Sequence, residues 1–250
     1  MKLLNILKIA AIYSAAIPVI AAPASAFEPA SAAAVTTDTP APANWLGQYA
    51  ETPLGSFTIG NPDAPVKLVE YASYTCSHCV NFEVEEAQIL KEEQVAGGKV
   101  NFEIRSLVRD PIDLIMASLA RCGGKDRFFA NHHFLMLNSQ SFTSRANLLS
   151  EATIARLQAQ DWTGFMVAAY SEMEYGNLVQ QIALDDASAK ACLADKNVVA
   201  NLFAVTDAAQ PKYNIMGTPS FLINEKLSGA HNYQTLKPLL AVPTPESKGL

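Results

Sequence analysis

The stretch 66–79 reads VKLVEYASYTCSHC. Its first part is rich in β-branched and aromatic residues and predicts a strand, with the acidic Glu70 inside it. A short polar turn follows, and from Val80 onward apolar residues recur at helical spacing among Glu, Gln and Lys. The pattern therefore predicts a strand, a turn and a helix, with Cys76 and Cys79 in the first turn of the helix.

The position of the two cysteines has a chemical consequence. The first N–H groups of a helix lack intrahelical partners, and the positive end of the helix dipole lies there, so a thiolate is favoured over a thiol. We expect Cys76 to be the exposed nucleophile and Cys79 to be the buried resolving cysteine. His78 adds a hydrogen-bond donor beside the Cys76 sulfur, and a positive charge when protonated. A lowered thiol pKa stabilises the reduced pair and makes its disulfide a stronger oxidant.

Three other interpretations of the cysteine pair are half of a zinc site, a structural role and coincidence. A zinc site would need Cys122 and Cys192, or histidines, as further ligands, and the sequence has no second closely spaced ligand pair. Haem attachment would need a histidine after the second cysteine, where Val80 stands. Because a C-x-x-C that follows a strand and opens a helix is typical of redox proteins, we favour the redox interpretation.

The N-terminal segment has the pattern of a secretory signal. A charged start is followed by an apolar run to Ala22 and by the small residues of positions 24–26. This predicts a signal peptide over residues 1–26, cleaved after Ala26. An uncleaved membrane anchor is the alternative, which Pro18 and the modest length of the run disfavour. Export would place the protein in the periplasm, where disulfides persist.

Composition limits the classes of partner. The chain has 250 residues, half of them apolar, which is enough for a substantial core. Removal of residues 1–26 takes away Lys2 and Lys8 and leaves 16 basic against 24 acidic residues, a formal charge of −8. An acidic surface argues against nucleic acid and anionic membranes as partners. We interpret residues 27–50 as an Ala/Pro-rich linker and residues 243–250 as a C-terminal tail.

Two further strands are predicted near the cysteine motif. Residues 57–59 are a weak edge-strand candidate, and residues 100–108 alternate between apolar and polar side chains. Two glycines at 97–98 end the intervening helix. A strand, a helix and a strand within so short a stretch form a βαβ unit, so the two strands should be parallel.

The second half of the chain is first helical and then mixed. Residues 111–195 contain no β-rich run and predict an inserted all-helical subdomain of about four or five helices. The fold class is therefore α/β: a central mixed sheet flanked by helices, built from residues 51–110 and 196–242. The remaining predicted elements are a helix over 197–209, strands over 220–223 and 227–230, and a helix over 233–240.

This order of elements, with a proline opening the third strand, resembles the thioredoxin fold. The long helical insertion makes the chain similar to the DsbA family of exported thiol–disulfide oxidoreductases. The motifs that carry the resemblance are VEY at 69–71 with CSHC at 76–79, and GTPSF at 217–221. By this resemblance Cys76 is the attacking cysteine, Cys79 the resolving one, and the two form the redox-active disulfide Cys76–Cys79. His78 matches the histidine of the family motif.

The resemblance also assigns roles outside the cysteine motif. Pro219 matches a cis-proline that faces the disulfide, and Thr218 should present backbone groups to a substrate chain. Glu70 matches a buried acid with a raised pKa that exchanges protons with Cys79. A solvated edge position is the alternative for Glu70. Ser77 replaces the proline of the family motif, and Thr218 replaces the valine of the best-known oxidases; threonine there is found in isomerase-type relatives.

The remaining cysteines and histidines receive structural interpretations. In an oxidising compartment Cys122 and Cys192 can form a structural disulfide. In the chain-entropy model, closing this loop stabilises the fold by about 4 kcal/mol. Some DsbA relatives have a second disulfide in this region, and two buried free thiols are the alternative. We interpret His132 and His133 as ordinary helix residues and expect no metal site.

The sequence therefore predicts an exported dithiol–disulfide oxidoreductase that oxidises cysteines in other exported proteins. It needs no metal or organic cofactor, and we expect a monomer. A DsbB-like membrane quinone reductase is implied as the reoxidant by resemblance alone. The alternatives are a disulfide isomerase or reductase, toward which Thr218 points, and a non-catalytic zinc- or peptide-binding module.

Overall fold

A computed structural model describes residues 44–241 of the chain. The predicted signal peptide (1–26), most of the predicted linker (27–50) and the predicted tail (243–250) lie outside the described residues. Within 44–241, no helix is both long enough and apolar enough to cross a membrane.

A mixed sheet of six strands forms the centre of the molecule, in the spatial order β1-β2-β4-β3-β5-β6. Strands β3 and β4 are parallel, as the βαβ unit predicts, and the other neighbours are antiparallel. The strands are β1 (Tyr49–Glu51), β2 (Phe57–Gly60), β3 (Val66–Ala72), β4 (Val100–Ser106), β5 (Ser220–Ile223) and β6 (Lys226–Leu227).

Strand β3 carries the cysteine motif at its carboxyl end and lies between β4 and β5. Every residue of β3 except Lys67 is buried, as expected for a strand covered on both faces. Its register places Glu70 opposite Ile104 of β4 and Phe221 of β5. The only carboxylate of this strand therefore lies in the middle of the sheet.

Two expectations about the start of the domain are wrong. Residues 49–51 form β1, so the linker predicted over 27–50 ends earlier than expected. Strand β2 is not an edge, because it pairs with β1 on one side and β4 on the other. The short and largely exposed β1 has no apolar alternation that sequence analysis could detect.

One continuous helical run, which we call the cysteine helix, connects β3 to β4. It consists of α1 (Ser77–Asn81), a π-helical turn (Phe82–Glu86), α2 (Ala87–Leu90) and a second π-helical turn (Lys91–Val95). Gly98 follows with φ +76, and a Cβ there would lie 2.8 Å from the indole nitrogen of Trp45. Only glycine fits this backbone conformation beside the indole ring.

Residues 111–195 contain no strand, as predicted, and form seven α-helices rather than four or five. The short helices and 3₁₀ turns were missed because they are too short to show a helical period. The helix over residues 151–158 starts after Ser150, whose side chain accepts the N–H of Thr153. The helices are α3 (Pro111–Ala120), α4 (Lys125–Leu137), α5 (Ser139–Thr143), α6 (Glu151–Gln158), α7 (Trp162–Glu172), α8 (Gly176–Val179) and α9 (Asp186–Leu193).

The chain returns to the sheet through α10 (Lys196–Tyr213), which is longer than predicted and continues past Pro211. After β6 it ends in α11 (Tyr233–Leu236) and a 3₁₀ turn (Lys237–Leu240). Aromatic contacts join the layers: the rings of Phe57 and Phe128 stack with centroids 4.4 Å apart. The sheet and the inserted helices therefore share one hydrophobic core.

Candidate active site

Cys76 is the N-cap residue of the cysteine helix. Its backbone is extended, with φ −98 and ψ 115, and its carbonyl oxygen accepts the N–H of Val80 at 3.0 Å. The N–H groups of His78 and Cys79, in the helical turn that follows, contribute to lowering the pKa of the Cys76 thiol. The sequence pattern thus places the sulfur at the amino end of the helix, where negative charge is favoured.

The two sulfurs have opposite proton affinities. The pKa of the Cys76 thiol is lowered to about 4, chiefly because the Cys79 thiol hydrogen-bonds to the thiolate, with help from the N–H groups of Cys79 and His78. The pKa of Cys79 is raised by the neighbouring Cys76 thiolate, by burial and by Glu70. At neutral pH the reduced pair therefore holds one negative charge, on Cys76.

The expectation that Cys76 is exposed is wrong for the residue as a whole. Cys76 is 6% exposed and Cys79 is 0% exposed. In its protonated state the Cys76 thiol donates to the carbonyl oxygen of Thr218 at 3.3 Å, so the segment before Pro219 covers the sulfur. Cys76 lies in the wall of a cavity with a volume of about 380 Å³.

The segment containing Pro219 lies against the cysteines. The peptide bond between Thr218 and Pro219 is cis. Ser220 begins β5, where it pairs with Tyr71 of β3, and its hydroxyl donates to the carbonyl oxygen of Gly217 at 2.7 Å. His231 donates from Nδ1 to the carbonyl oxygen of Pro219 at 3.0 Å. These bonds hold the backbone of Thr218 beside the Cys76 sulfur.

Glu70 is buried beneath the pair. It is 1% exposed, and its Oε2 has no hydrogen-bond partner among the described residues, which excludes the solvated edge position. Burial, and then the negative charge of Glu83, raise its pKa well above the ordinary value. A carboxyl group in this environment can hold a proton at a pH where most carboxyl groups have lost theirs.

Glu83 belongs to a buried polar cluster that sequence analysis missed. Its Oε1 accepts from Nδ1 of His133 at 2.9 Å and lies 3.6 Å from Nζ of Lys91, while its Oε2 lies 3.6 Å from Nε2 of His132. Nδ1 of His132 is 2.9 Å from the hydroxyl of Tyr74. His132 and His133 are therefore not ordinary helix residues, because they surround a buried carboxylate.

The sequence contains one signal for this cluster. Glu83 lies four residues after Cys79 and four before Ala87, so it interrupts the apolar stripe of the cysteine helix. Its burial follows from that spacing. The identity of its partners does not, because His132 and His133 lie about fifty residues away on α4.

Two aspartates position the turn between β3 and Cys76. The buried Asp113 accepts from the Ser73 hydroxyl at 2.6 Å and from the N–H of Tyr74 at 2.8 Å. Asp110 accepts from the Thr75 hydroxyl at 2.6 Å and caps α3. Burial raises the pKa of Asp113 to about 6. These contacts were also missed, because they join segments that are far apart in sequence.

Cys122 and Cys192 are joined as a disulfide in the helical subdomain, with their Cα atoms 5.8 Å apart. This separation lies within the usual range for a bridged pair. Neither cysteine is available as a zinc ligand for Cys76 and Cys79. Across residues 44–241, no three His, Cys, Asp or Glu side chains form a group that could hold a metal ion.

Comparison with solved structures finds the same fold. A family model described as Thioredoxin matches residues 52–241. A protein-disulfide isomerase from Novosphingobium aromaticivorans is 34% identical, with a TM-score of 0.66, over 73% of this chain and 94% of that chain. Wolbachia pipientis alpha-DsbA1 is 20% identical, with a TM-score of 0.56, over 74% of this chain and 88% of its own, which is a similarity of fold alone.

Comparison with curated sequences gives a related result. The "Putative protein-disulfide oxidoreductase" of Rickettsia conorii is 27% identical over 182 residues, which is 71% of this chain. The match covers 56% of that relative, so the chain spans little more than half its length. The thioredoxin-like fold class with a helical region is confirmed by these matches, and a DsbA-family protein is among the structural neighbours.

Proposed function

The chain belongs to the thioredoxin family, and we propose that it is an exported dithiol–disulfide oxidoreductase that introduces disulfides into other exported proteins. The observation that supports this best is the Cys76 thiol, whose pKa is lowered to about 4 beside the backbone of Thr218. Stabilising this thiolate stabilises the reduced pair, so the Cys76–Cys79 disulfide is a strong oxidant.

The proposed cycle consists of two exchange steps. A substrate thiolate attacks Sγ of Cys76, the Cys76–Cys79 bond breaks, and Cys79 leaves as a thiolate that takes up a proton. A second substrate thiolate then attacks the substrate sulfur of the mixed disulfide and displaces Cys76 as a thiolate. The substrate loses two electrons and gains a disulfide, and the two electrons reside on the reduced cysteine pair.

Glu70 is the proposed proton donor and acceptor for Cys79. Its raised pKa keeps a proton available in the buried space beneath the pair. Once Glu70 has lost that proton, its charge raises the pKa of Cys79. When Cys79 leaves as a thiolate, transfer of this proton prevents Cys79 from attacking the mixed disulfide again.

The experiment that tests the assignment uses single cysteine variants. Cys76→Ala is expected to abolish oxidation of a reduced two-cysteine model substrate, because no mixed disulfide can form. Cys79→Ala should instead accumulate a mixed disulfide at Cys76 that is visible by mass spectrometry. Oxidation by the Cys76→Ala protein at the native rate would show that the assignment is wrong.

A disulfide isomerase is the second candidate function. The similarity to the Novosphingobium aromaticivorans isomerase favours it, and so does Thr218 before Pro219. The redox potential, measured against glutathione buffers, separates the two functions. A value near about −120 mV supports an oxidase, and a value well below about −200 mV supports an isomerase or reductase that is kept reduced.

The compartment and the reoxidant are parts of the same proposal. Residues 1–26 have the pattern of a signal peptide, which supports export to the periplasm. There a DsbB-like membrane quinone reductase would reoxidise the protein. We propose that the protein itself is a monomer. Fractionation of cells that express the full chain tests the compartment, and reoxidation by quinone-containing membranes tests the partner.

A further inference from the structure

Two cavities lie at the amino end of the cysteine helix, with volumes of about 440 Å³ and about 380 Å³. His78 and Thr218 contribute to the walls of both, and Cys76 lies in the wall of the smaller one. A peptide whose cysteine reaches Cys76 beside Thr218 therefore lies next to both cavities. The two cavities differ in charge.

The larger cavity, which we call the acidic cavity, is lined by Glu85 and Glu86. Glu85 is exposed and has no hydrogen bond or ion pair with the rest of residues 44–241. Glu86 accepts the backbone N–H of Tyr233, a neutral donor that leaves the negative charge uncompensated. The acidic cavity thus presents two carboxylates to whatever enters it.

The smaller cavity, which we call the basic cavity, is lined by Arg109. The Arg109 side chain is exposed, and its guanidinium has no ion pair within the described part of the chain. Asp110 is adjacent, but its oxygens accept from the Thr75 hydroxyl and from N–H groups of α3. Met216, which is 80% exposed, adds an apolar surface at the same opening.

Resting on the proposed function, we propose that these cavities select substrate cysteines flanked by opposite charges. A basic side chain on one side of the cysteine pairs with Glu85 and Glu86, and an acidic side chain on the other side pairs with Arg109. Each pair is close to solvent, so the selection is a modest preference rather than an absolute requirement. The preferred substrate is an extended, bipolar peptide segment.

Two blocked peptides of identical composition test this inference: Lys-Ala-Cys-Ala-Glu and its reverse, Glu-Ala-Cys-Ala-Lys. Both have the same net charge, so the negative charge of the whole protein attracts them equally. The measurement is the rate constant for reduction of the oxidised protein by each peptide. We expect one order to react about three- to ten-fold faster than the other, and the difference to shrink at about 0.5 M salt.

Charge reversal provides the decisive variant. Arg109→Glu combined with Glu85→Lys is expected to invert the preferred peptide order, and Arg109→Gln alone should reduce the preference. The matched control reverses two exposed charges of α6, Arg156→Glu with Glu151→Lys, and should keep the native preference. An unchanged preference in the reversed variant would overturn the inference.

A neutral peptide, Gln-Ala-Cys-Ala-Gln, separates this inference from the proposed function. If the native protein reacts with the neutral peptide but at equal rates with the two charged orders, charge selection is wrong and the oxidoreductase assignment stands. If no peptide reduces the oxidised protein, the proposed function itself fails.

Discussion

At the scale of single residues, the chemistry depends on which sulfur carries the charge. The N–H groups at the start of the cysteine helix and the Cys79 thiol all stabilise a thiolate on Cys76. Cys79, which is fully buried above Glu70, stays protonated. Attack by an outside thiolate is therefore directed at Cys76, because the fully buried Cys79 sulfur is the less accessible of the two. The low pKa of Cys76 acts in the second step, where Cys76 is the leaving thiolate.

The low pKa of Cys76 predicts a pH dependence of stability in the reduced protein. Folding lowers this pKa from 9.0 to about 4, so the unfolded chain binds more protons than the folded one between these values. The stability contributed by the thiolate is complete above about pH 9 and is lost as the pH falls to about 4. Thermal unfolding of the reduced and oxidised forms across this range measures it.

Cys76→Ser is the control for this prediction, because serine does not ionise in this range. The reduced Cys76→Ser protein should lose the pH dependence that is assigned to the thiolate. A reduced native protein whose stability relative to the oxidised form is the same at pH 4 and at pH 8 would contradict the prediction.

The raised pKa of Glu70 predicts the opposite dependence of stability on pH. Its folded pKa is raised, so its contribution to stability is complete below the unfolded value of 4.5 and is lost as the pH rises through the folded value. Glu70→Gln keeps the shape and removes the charge, so the variant should be more stable than the native protein at pH 8 and similar at pH 4. Urea unfolding at the two pH values measures the difference.

Glu70→Gln should also slow the reaction, because the proposed proton donor for Cys79 is lost. A loss of about ten- to a hundred-fold in the rate of exchange is expected at neutral pH. A Glu70→Gln variant that has the stability of the native protein at both pH values and reacts at the native rate would show that Glu70 neither destabilises the fold when ionised nor carries the proton.

At the scale of elements, some features of the cysteine helix follow from local sequence and others depend on tertiary packing. The strand, the turn and the helix start could be predicted because their signals are local: a buried apolar run, then Cys76 and Cys79 at the spacing of one turn. The partners of Glu83 could not be predicted, because they come from α4 and depend on tertiary packing. The same limit hid the contacts of Asp113 with Ser73 and Tyr74.

Removing the charge of Glu83 should cause a large loss in the free energy of unfolding. Burial raises its pKa, but His132, His133 and Lys91 outweigh burial and lower it, so the ionised group is stabilised in the fold. Glu83→Ala should cost about 3 kcal/mol at neutral pH, since it leaves buried partners unpaired. Urea unfolding measures this cost.

Glu85→Ala, two residues away on the exposed face of the same helix, is the matched control. It should change the free energy of unfolding by less than about 0.5 kcal/mol. Equal losses for the two variants would mean that the buried cluster contributes nothing beyond helix propensity. The cost of Glu83→Ala should also diminish in acid, because the stability contributed by its depressed pKa is complete above the unfolded value of 4.5 and is lost as the pH falls through the folded value.

At the scale of the whole molecule, the sheet and the inserted helices are connected by packing and by a covalent link. The mixed sheet, the parallel β3–β4 pair and the helical insertion could be predicted, since long apolar runs and helical periods extend over many residues. Element boundaries were less accurate. Helix α10 passes Pro211 because the missing N–H falls in its last turn, where losing one hydrogen bond costs little.

Removing the disulfide between Cys122 and Cys192 should lower the stability of the fold without changing the redox properties of the active pair. The two cysteines are 70 positions apart, so replacing both with serine should cost up to about 4 kcal/mol in the free energy of unfolding. The pKa of Cys76 and the redox potential of the active pair should be unchanged, because the cysteine helix is a separate element. A shifted potential in the double variant would show that the two sites are coupled.

The low exposure of Cys76 has a consequence for the stage of folding at which a substrate protein can react. Because Cys76 is only 6% exposed, an extended segment of polypeptide can approach it more readily than the surface of a folded protein can. If the protein acts as proposed, cysteines on unfolded chains should therefore react with Cys76, and cysteines buried in folded proteins should not. On the proposed function, the narrow access to Cys76 restricts the reaction to substrate proteins that have not finished folding.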